Sequence, residues 1–91
     1  AHHIVAGNSP KADKARKVLT KFKIDVNSAE NGVFLPENSS SPNPHRAAVH
    51  SSLHTSSYYD TVNELLGFAH SKADALLALG YIRDALLAGG L

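Results

Sequence analysis

Four histidines in two pairs, with an asparagine between the pairs, are the residues of this chain that point most directly to chemistry. His2 and His3 are adjacent near the start, His50 and His54 lie four residues apart, and Asn31 lies between the two pairs. Imidazole nitrogens bind divalent metals, and a neutral imidazole can also take a proton from water. A metal beside a free imidazole is an arrangement that can hydrolyse a phosphodiester.

The spacing of His50 and His54 suits a shared metal ion. Four residues apart on a helix, two imidazoles point the same way. The pair would serve equally well with His50 just before a helix and His54 in its first turn. With six histidines in 91 residues, the same spacing also arises on an ordinary polar helix face, and the spacing alone leaves both interpretations open.

The adjacent pair, His2 and His3, runs straight into the apolar residues Ile4, Val5 and Ala6. Neighbouring side chains of a strand point to opposite sides, so at a strand end one histidine can face a metal and the other the attacking water. Two histidines at a chain start are also typical of a purification-tag remnant. A free amino terminus with histidine in third place also binds Cu(II) or Ni(II).

Length and composition indicate one domain, residues 1–91. The chain has no cysteine, which excludes a disulfide and a thiolate metal site. The apolar runs are far too short to span a membrane, and no signal peptide is visible. Because the chain starts at its own histidine pair, we expect it to be the C-terminal fragment of a larger protein that extends upstream.

The net charge of +1 is unevenly distributed. Residues 1–50 carry seven Lys or Arg against four acids (+3), and residues 51–91 carry two against four (−2). Six of the basic residues, Lys17 among them, fall within thirteen positions, which indicates either a solvated helix face or a phosphate-binding patch. His45 and Arg46 in the loop are further candidates for phosphate contact, since a guanidinium matches phosphate geometry.

The order of elements predicted from the sequence is strand, helix, strand, loop, helix, helix. Ser9-Pro10 is a helix start, with Ser as N-cap and Pro at the first helical position. Asn31-Gly32 indicates a turn, and Val33–Leu35 a short strand stopped by a proline. The polar, proline-containing stretch 37–46 is predicted to be a loop.

Two helices are predicted after the loop. The first begins around 47–57 and runs to about Leu66, and the second follows Ser71. Ser57 and Ser71 are each followed three residues later by an aspartate, which predicts a helix cap at both. The adjacent residues Tyr58 and Tyr59 are expected to point to different faces, one into the core and the other toward substrate or a metal ligand.

Three segments together resemble the AHH family of predicted nucleases: the opening Ala-His-His, then AENGVFLP, then HRAAVHSSLHTSSYYDTVNELL. The resemblance covers residues 1 to about 67. The family belongs to the HNH/endonuclease VII group, so the resemblance implies an α+β, mainly helical domain. It would have a small ββα-metal core, an extra helix between the strands and a C-terminal helix. The loop 37–46 would be an insertion.

The resemblance also implies roles for the histidines. By the pattern of the colicin DNases of the same superfamily, His2, His50 and His54 would be metal ligands and His3 the general base. Asn31 would tie the active-site loop together or orient His3. The implied cofactor is a divalent metal ion. Zn or Ni would be bound by affinity, and Mg or Mn remain possible for catalysis.

A family member of this kind is expected to be a nonspecific endonuclease, with DNA the favoured substrate, acting as the C-terminal toxin of a bacterial polymorphic or Rhs-type protein. Its expected partners are a larger carrier upstream and a cognate immunity protein, acidic to match the basic half of the domain. It would be delivered by a secretion system into the target-cell cytoplasm. Two alternatives stay open on the residues: a binding module with a structural histidine metal site, and a metal-free RNase.

Overall fold

Two short strands and three helices make up the regular structure of the computed structural model, which describes residues 2–44 and 46–91. Strand β1 (His2–His3) pairs antiparallel with β2 (Gly32–Val33). The helices are α1 (Asp13–Lys21), α2 (Ser56–Gly67) and α3 (Lys72–Leu87). The fold is therefore α+β and mainly helical, with one helix between the strands and another at the C-terminal end, which confirms the predicted class.

The start of the first helical segment is as predicted. Ser9 has an extended backbone and its Oγ accepts a hydrogen bond from the Lys11 amide at 3.3 Å, as an N-cap does. A 3-10 turn, Pro10–Ala12, then leads into α1. The buried residues of this segment recur at helical spacing and face the core: Ala12, Ala15 and Leu19.

The start of α2 differs from the prediction. The N-cap is Thr55, whose Oγ1 accepts from the Tyr58 amide at 3.2 Å, and Ser57 already lies inside the helix. Thr55 has the extended backbone that an N-cap requires, with φ −120° and ψ 153°. At α3 the predicted cap is confirmed, because Ser71 Oγ accepts from the Asp74 amide at 3.1 Å.

The second strand is shorter than predicted. It covers Gly32–Val33 instead of Val33–Leu35, and Asn31 ends a 3-10 turn, Ala29–Asn31. The reason lies in the antiparallel register: Val33 pairs with His2, the first residue of β1, so Phe34 and Leu35 lie beyond the end of their partner strand. At the other end of β1, Ile4 donates its amide to the Asn31 carbonyl at 2.8 Å, and its side chain is buried in the core.

The core lies between the sheet and the helices, and α3 contributes its central row. The core contains fully buried side chains from the two residues after β1 and from the three helices: Ile4, Val5, Leu19, Val62, Leu66, Leu79, Ile82 and Leu86. Arg83 of α3 donates to the carbonyls of Glu30 and Gly32 at 2.7 and 3.3 Å. The last helix thus fixes the approach to β2. No helix in the described part of the chain has the length and apolar character to cross a membrane.

The end of α3 positions the segment that leads to His50. Gly89 and Gly90 donate to the carbonyls of Leu86 and Ala85, which closes a Schellman motif. Gly89 has φ +110°, and a Cβ there would lie 2.8 Å from the Arg46 carbonyl oxygen. A side chain at this position would therefore be strained and would clash with the incoming loop.

Candidate active site

The four histidines singled out in the sequence come together at one pocket of about 160 Å³. Strand β1 supplies two of them, and the segment before α2 supplies the others. His50 lies in a 3-10 turn, His50–Ser52, and His54 lies just before the helix, so the pair is not on one continuous helix. The pocket is lined by His2, His3, His50 and His54 together with Ala6, Gly7, Leu53, Tyr58 and Tyr59.

Three of these imidazoles form one hydrogen-bonded chain that ends on a tyrosine at each side. His2 Nδ1 lies 2.8 Å from His50 Nδ1, and His50 Nε2 lies 3.3 Å from His54 Nε2. His2 Nε2 lies 3.0 Å from the Tyr58 hydroxyl, and His54 Nδ1 lies 3.3 Å from the Tyr59 hydroxyl. Both tyrosines are buried, so each holds its histidine from the protein interior.

The proton positions in this hydrogen-bonded series follow from its Tyr58 end. The Tyr58 hydroxyl donates to the Ile4 carbonyl at 2.8 Å, so its oxygen accepts the proton of His2 Nε2. A neutral imidazole carries one N–H, which leaves a lone pair on His2 Nδ1 facing His50. His50 then donates from Nδ1, His54 donates from Nε2 to His50, and Tyr59 donates to His54. Three neutral imidazoles therefore satisfy every contact.

His2 is the histidine whose ionisation the fold changes most clearly. Its side chain is 5% exposed. Burial, followed by the nearby His50 and His54, lowers the pKa of His2 to about 4. Burial and the adjacent Tyr59 raise the pKa of Tyr58, so this tyrosine keeps its proton at ordinary pH. The pair is therefore a neutral imidazole held by a neutral phenol.

His3 points to the other side of β1 and is exposed. Its Nε2 lies 3.0 Å from Asn27 Oδ1, an acceptor, so the proton of a neutral His3 is on Nε2 and the lone pair on Nδ1. Asn27 is itself fixed by its amide, which donates to Asp25 Oδ1 at 2.8 Å. The partner of His3 is thus Asn27, whereas the family resemblance had implied Asn31 as the residue that orients it.

Asn31 is fully buried and ties two backbone segments together. Its Nδ2 donates to the carbonyls of Val5 and Val26 at 3.0 and 2.8 Å, and its Oδ1 accepts from the Val5 amide at 2.8 Å. The side-chain amide of Asn31 therefore forms its hydrogen bonds with the segment that follows β1 and with the loop after α1. This geometry matches the tying role suggested for Asn31, whereas the orienting contact to His3 comes from Asn27.

A comparison with protein families confirms the resemblance to AHH nucleases. The model for a nuclease family of the HNH/ENDO VII superfamily with conserved AHH matches residues 1–79. The chain belongs to this AHH nuclease family. No curated protein and no solved structure matches the chain. The family makes the AHH domain a nuclease, with nucleic acid as its substrate.

The donor set of the AHH domain suits a divalent metal in its chemistry. His2 and His50 Nδ1 lie 2.8 Å apart, shorter than the roughly 3.3 Å that separates two nitrogens of a tetrahedral zinc site with bonds of about 2.0–2.1 Å, so a small outward shift would let them share one ion. His50, however, turns Nδ1 to His2 and its other nitrogen to His54. Within residues 2–44 and 46–91 no group of three or more His, Cys, Asp or Glu is therefore arranged to hold a metal as it stands.

The metal-free AHH domain is expected to lose stability as the pH falls from about 6.5 to 4. The pKa of His2 is about 4 in the folded chain and about 6.5 when unfolded. The unfolded chain thus binds the extra proton in this window. The contribution of neutral His2 to the free energy of unfolding is fully present above pH 6.5, and roughly 3 kcal/mol of it is lost by pH 4. Urea unfolding in EDTA across this range measures it.

The matched control for this pH dependence is His70→Asn, since His70 is exposed between α2 and α3. It should keep the wild-type slope of unfolding free energy against pH. His2→Asn should be less stable at pH 7 and show a flatter slope between pH 5 and 6.5. An unchanged slope in His2→Asn would contradict the assignment of the proton uptake to His2.

The predicted substrate-binding residues that the structure describes lie outside the histidine pocket. Lys17 is exposed on α1 and pairs with Asp13 at 3.1 Å. Arg46 is exposed, with φ 55°. Among the described residues neither lines the histidine pocket. His45 lies outside the described residues.

Sequence reasoning did not identify Asn27 as a partner of His3, and it assigned only one of the two tyrosines to the interior. Tyr58 and Tyr59 are both buried, and each contacts a different histidine. The sequence signal that could have indicated these two contacts was the pair of adjacent tyrosines shortly after the two spaced histidines. For Asn27 the signal was weaker: an Asp two residues ahead, the spacing of a local side chain-to-backbone turn.

Proposed function

We propose that this domain is a metal-dependent, nonspecific endonuclease. His2, His50 and His54 would hold a divalent ion, and His3 would take the proton of the attacking water. The observation that carries the proposal is the meeting of three imidazoles in one pocket beside His3, which contacts Asn27 through Nε2 and leaves Nδ1 without a contact to Asn27. When bound, the ion would stabilise the negative charge on the phosphate and the leaving oxygen.

Each residue has a separate task in this proposal. His2 stays unprotonated well below neutral pH and so keeps its Nδ1 lone pair available. Asn27 holds the proton of His3 on Nε2 and leaves Nδ1 to act as the base at neutral pH. Asn31 fixes β1, which carries both histidines. The expected products are 5′-phosphate and 3′-hydroxyl ends.

DNA is the favoured substrate, and contact with it would be independent of sequence. Five lysines between positions 11 and 23 are exposed on or beside α1: Lys11, Lys14, Lys17, Lys21 and Lys23. Such residues suit contact with the phosphate backbone, which carries no sequence information. Lys17 and Arg46 remain the first candidates for this contact, with His45 as a third.

The biological role proposed is that of an antibacterial toxin domain, carried by a larger protein and delivered by a secretion system into the cytoplasm of a target cell. A producing cell then needs an inhibitor of the nuclease. Because the basic residues are concentrated in the first half of the chain, this immunity protein is expected to be acidic. Co-expression that relieves toxicity would test this role.

The test of the activity is cleavage of supercoiled plasmid by the purified chain, in EDTA and then with added Mg, Mn, Ni or Zn. We expect no cleavage in EDTA and nicking when a metal is restored, with Zn or Ni bound most tightly. Cleavage of RNA in EDTA, leaving 2′,3′-cyclic phosphate ends, would identify a metal-free RNase instead. A folded, metal-bound chain that cuts neither DNA nor RNA would identify a binding module.

Removing the hydroxyl that holds His2 is expected to weaken metal binding. In Tyr58→Phe, His2 Nε2 and the Ile4 carbonyl lose their partner. Loss of an outer-shell partner of a metal-bound histidine typically costs about 10–100-fold in affinity or activity, and the buried polar groups cost about 1–3 kcal/mol in stability. Calorimetric titration with Zn or Ni measures the first effect and urea unfolding the second.

Tyr81→Phe is the matched control, because Tyr81 is exposed on α3. It should bind metal and unfold like the wild type. If Tyr58→Phe loses stability but binds Zn and Ni with wild-type affinity, Tyr58 serves the fold alone and does not position His2 for a metal.

A further inference from the structure

We propose that Phe34 is a stacking platform for an unpaired nucleobase next to the phosphate being cut, which gives the nuclease a preference for single-stranded or locally opened nucleic acid. This inference rests on the proposed function. Its starting point is exposure: Phe34 is 84% exposed, the highest value for a large apolar side chain among the described residues. A single exposed apolar ring is common on protein surfaces, and what distinguishes Phe34 is its position beside the histidines.

The strand register places Phe34 on the side of the sheet that carries His3. His3 pairs with Gly32, and cross-strand partners share a face. Phe34 is two residues beyond Gly32 and so returns to that face. Gly32 has no side chain to cover the space between them. A concavity of about 240 Å³ is accordingly lined by His3, Asn27, Gly32 and Phe34, with His2 at its edge.

The same ring also borders the metal-ligand side of the site. A second concavity of about 240 Å³ contains His2, His50 and Phe34. Phe34 therefore stands between the histidine proposed as the base and two of the histidines proposed as ligands. A substrate phosphate at these histidines would bring its neighbouring nucleotides to the Phe34 ring.

The backbone on both sides of Phe34 is attached to the histidine-bearing segments. Val33, just before it, pairs with His2. Pro36, two residues after it, accepts a hydrogen bond from the His50 amide at 2.7 Å, and Glu37 accepts from the Ser51 amide at 3.0 Å. The backbone that carries the ring is therefore fixed at both ends before substrate arrives, which lowers the entropic cost of binding.

The chemistry of a phenyl ring selects the occupant. Its faces attract another flat aromatic surface, and every nucleobase offers one, whatever its sequence. In a duplex both faces of a base are already stacked and its edge is paired, so the base must be unpaired or flipped out to reach a protein ring. Stacking at Phe34 would thus add affinity for unpaired strands without reading sequence.

Phe34→Trp tests this directly, because the chain has no tryptophan and the new residue would be its sole source of indole fluorescence. The probes are an oligothymidine strand and an abasic strand with the same number of phosphates, both in EDTA to prevent cleavage. We expect quenching by oligothymidine and none by the abasic strand. Binding of each strand is measured independently by polarisation of an end label. Phe68→Trp, 68% exposed at the end of α2, is the matched control and should not be quenched.

Phe34→Ala supplies the functional readout. We expect about 10-fold weaker binding of the oligothymidine strand, within the range that alanine substitution of a stacking aromatic produces. KM for single-stranded DNA should rise while kcat changes little, and duplex cleavage should be nearly unaffected. Phe68→Ala should match the wild type in all three. Circular dichroism checks that both variants are folded.

The possible outcomes separate the two proposals. If the wild type cuts DNA, but saturating oligothymidine leaves Phe34→Trp fluorescence unchanged and Phe34→Ala binds normally, the stacking inference is overturned and the nuclease stands. If Phe34→Trp is quenched while the wild type cuts nothing with any metal, base stacking stands and the hydrolytic function fails. If the wild type neither binds nor cuts any strand, both fail.

Discussion

Replacing His3 with alanine is expected to lower the rate of plasmid cleavage by about two to four orders of magnitude, the usual contribution of a general base. The fold and the bound metal should both persist. His3 is exposed, and its side-chain contact is with Asn27, itself exposed. Its removal therefore opens no cavity in the core and breaks no link of the His2–His50–His54 chain. Single-turnover cleavage with saturating metal measures the rate.

His70→Ala is the control, since this exposed histidine lies outside the histidine pocket. It should cut at the wild-type rate. Metal titration and circular dichroism of His3→Ala establish that the site is loaded and the domain folded. If His3→Ala cleaves at the wild-type rate under these conditions, His3 is not the general base and another residue must activate water.

Replacing Asn31 with alanine is expected to destabilise the domain by about 3 kcal/mol or more. The Val5 amide and the carbonyls of Val5 and Val26 would lose their partner at a fully buried position, and each unsatisfied buried group costs about 1–3 kcal/mol. Domains of this size are stable by only about 5–15 kcal/mol. Urea unfolding, followed by circular dichroism, measures the loss.

Asn8→Ala is the matched control, because Asn8 is exposed, and we expect it to unfold like the wild type. The fraction of Asn31→Ala that remains folded should still cut DNA, since the hydrogen bonds of Asn31 are to backbone groups. An Asn31→Ala domain that is as stable as the wild type but inactive would assign Asn31 to the substrate or the metal.

The sequence singled out the four histidines because the information is local. Two adjacent histidines and a spaced pair can be recognised without any tertiary contact, and the structure brings all four to one pocket. The caps at Ser9 and Ser71 were likewise predictable, since each acts on an amide two or three residues away. The α+β class followed from the family resemblance together with these local signals.

Features that depend on competition between neighbours were harder to predict. Thr55 and Ser57 are both good N-cap residues, and local sequence does not rank them. Thr55 caps α2 because its backbone is extended, whereas Ser57 already lies inside the helix. The two-residue length of β2 follows from the register, in which Val33 pairs with His2, the first residue of β1, and no property of Val33–Leu35 reveals that register.

Long-range contacts could not be predicted from the sequence at all. The hydrogen bond from His2 to Tyr58 joins residues 56 positions apart, and nothing in the local pattern distinguishes the tyrosine that braces His2 from the one that braces His54. The contact of Phe34 with both sides of the site depends on the register of the sheet and on the Pro36 carbonyl. Both are properties of the assembled fold.

The bond between His2 and Tyr58 also determines when the site comes into existence during synthesis. His2 leaves the ribosome first, whereas His50, His54 and both tyrosines follow nearly fifty residues later or more, and the core needs Leu79, Ile82 and Leu86 of α3. A nascent chain, or one threaded unfolded through a channel, therefore contains the histidines but no pocket. The ability to cut nucleic acid therefore belongs to the folded domain, in which residues distant in sequence form one pocket.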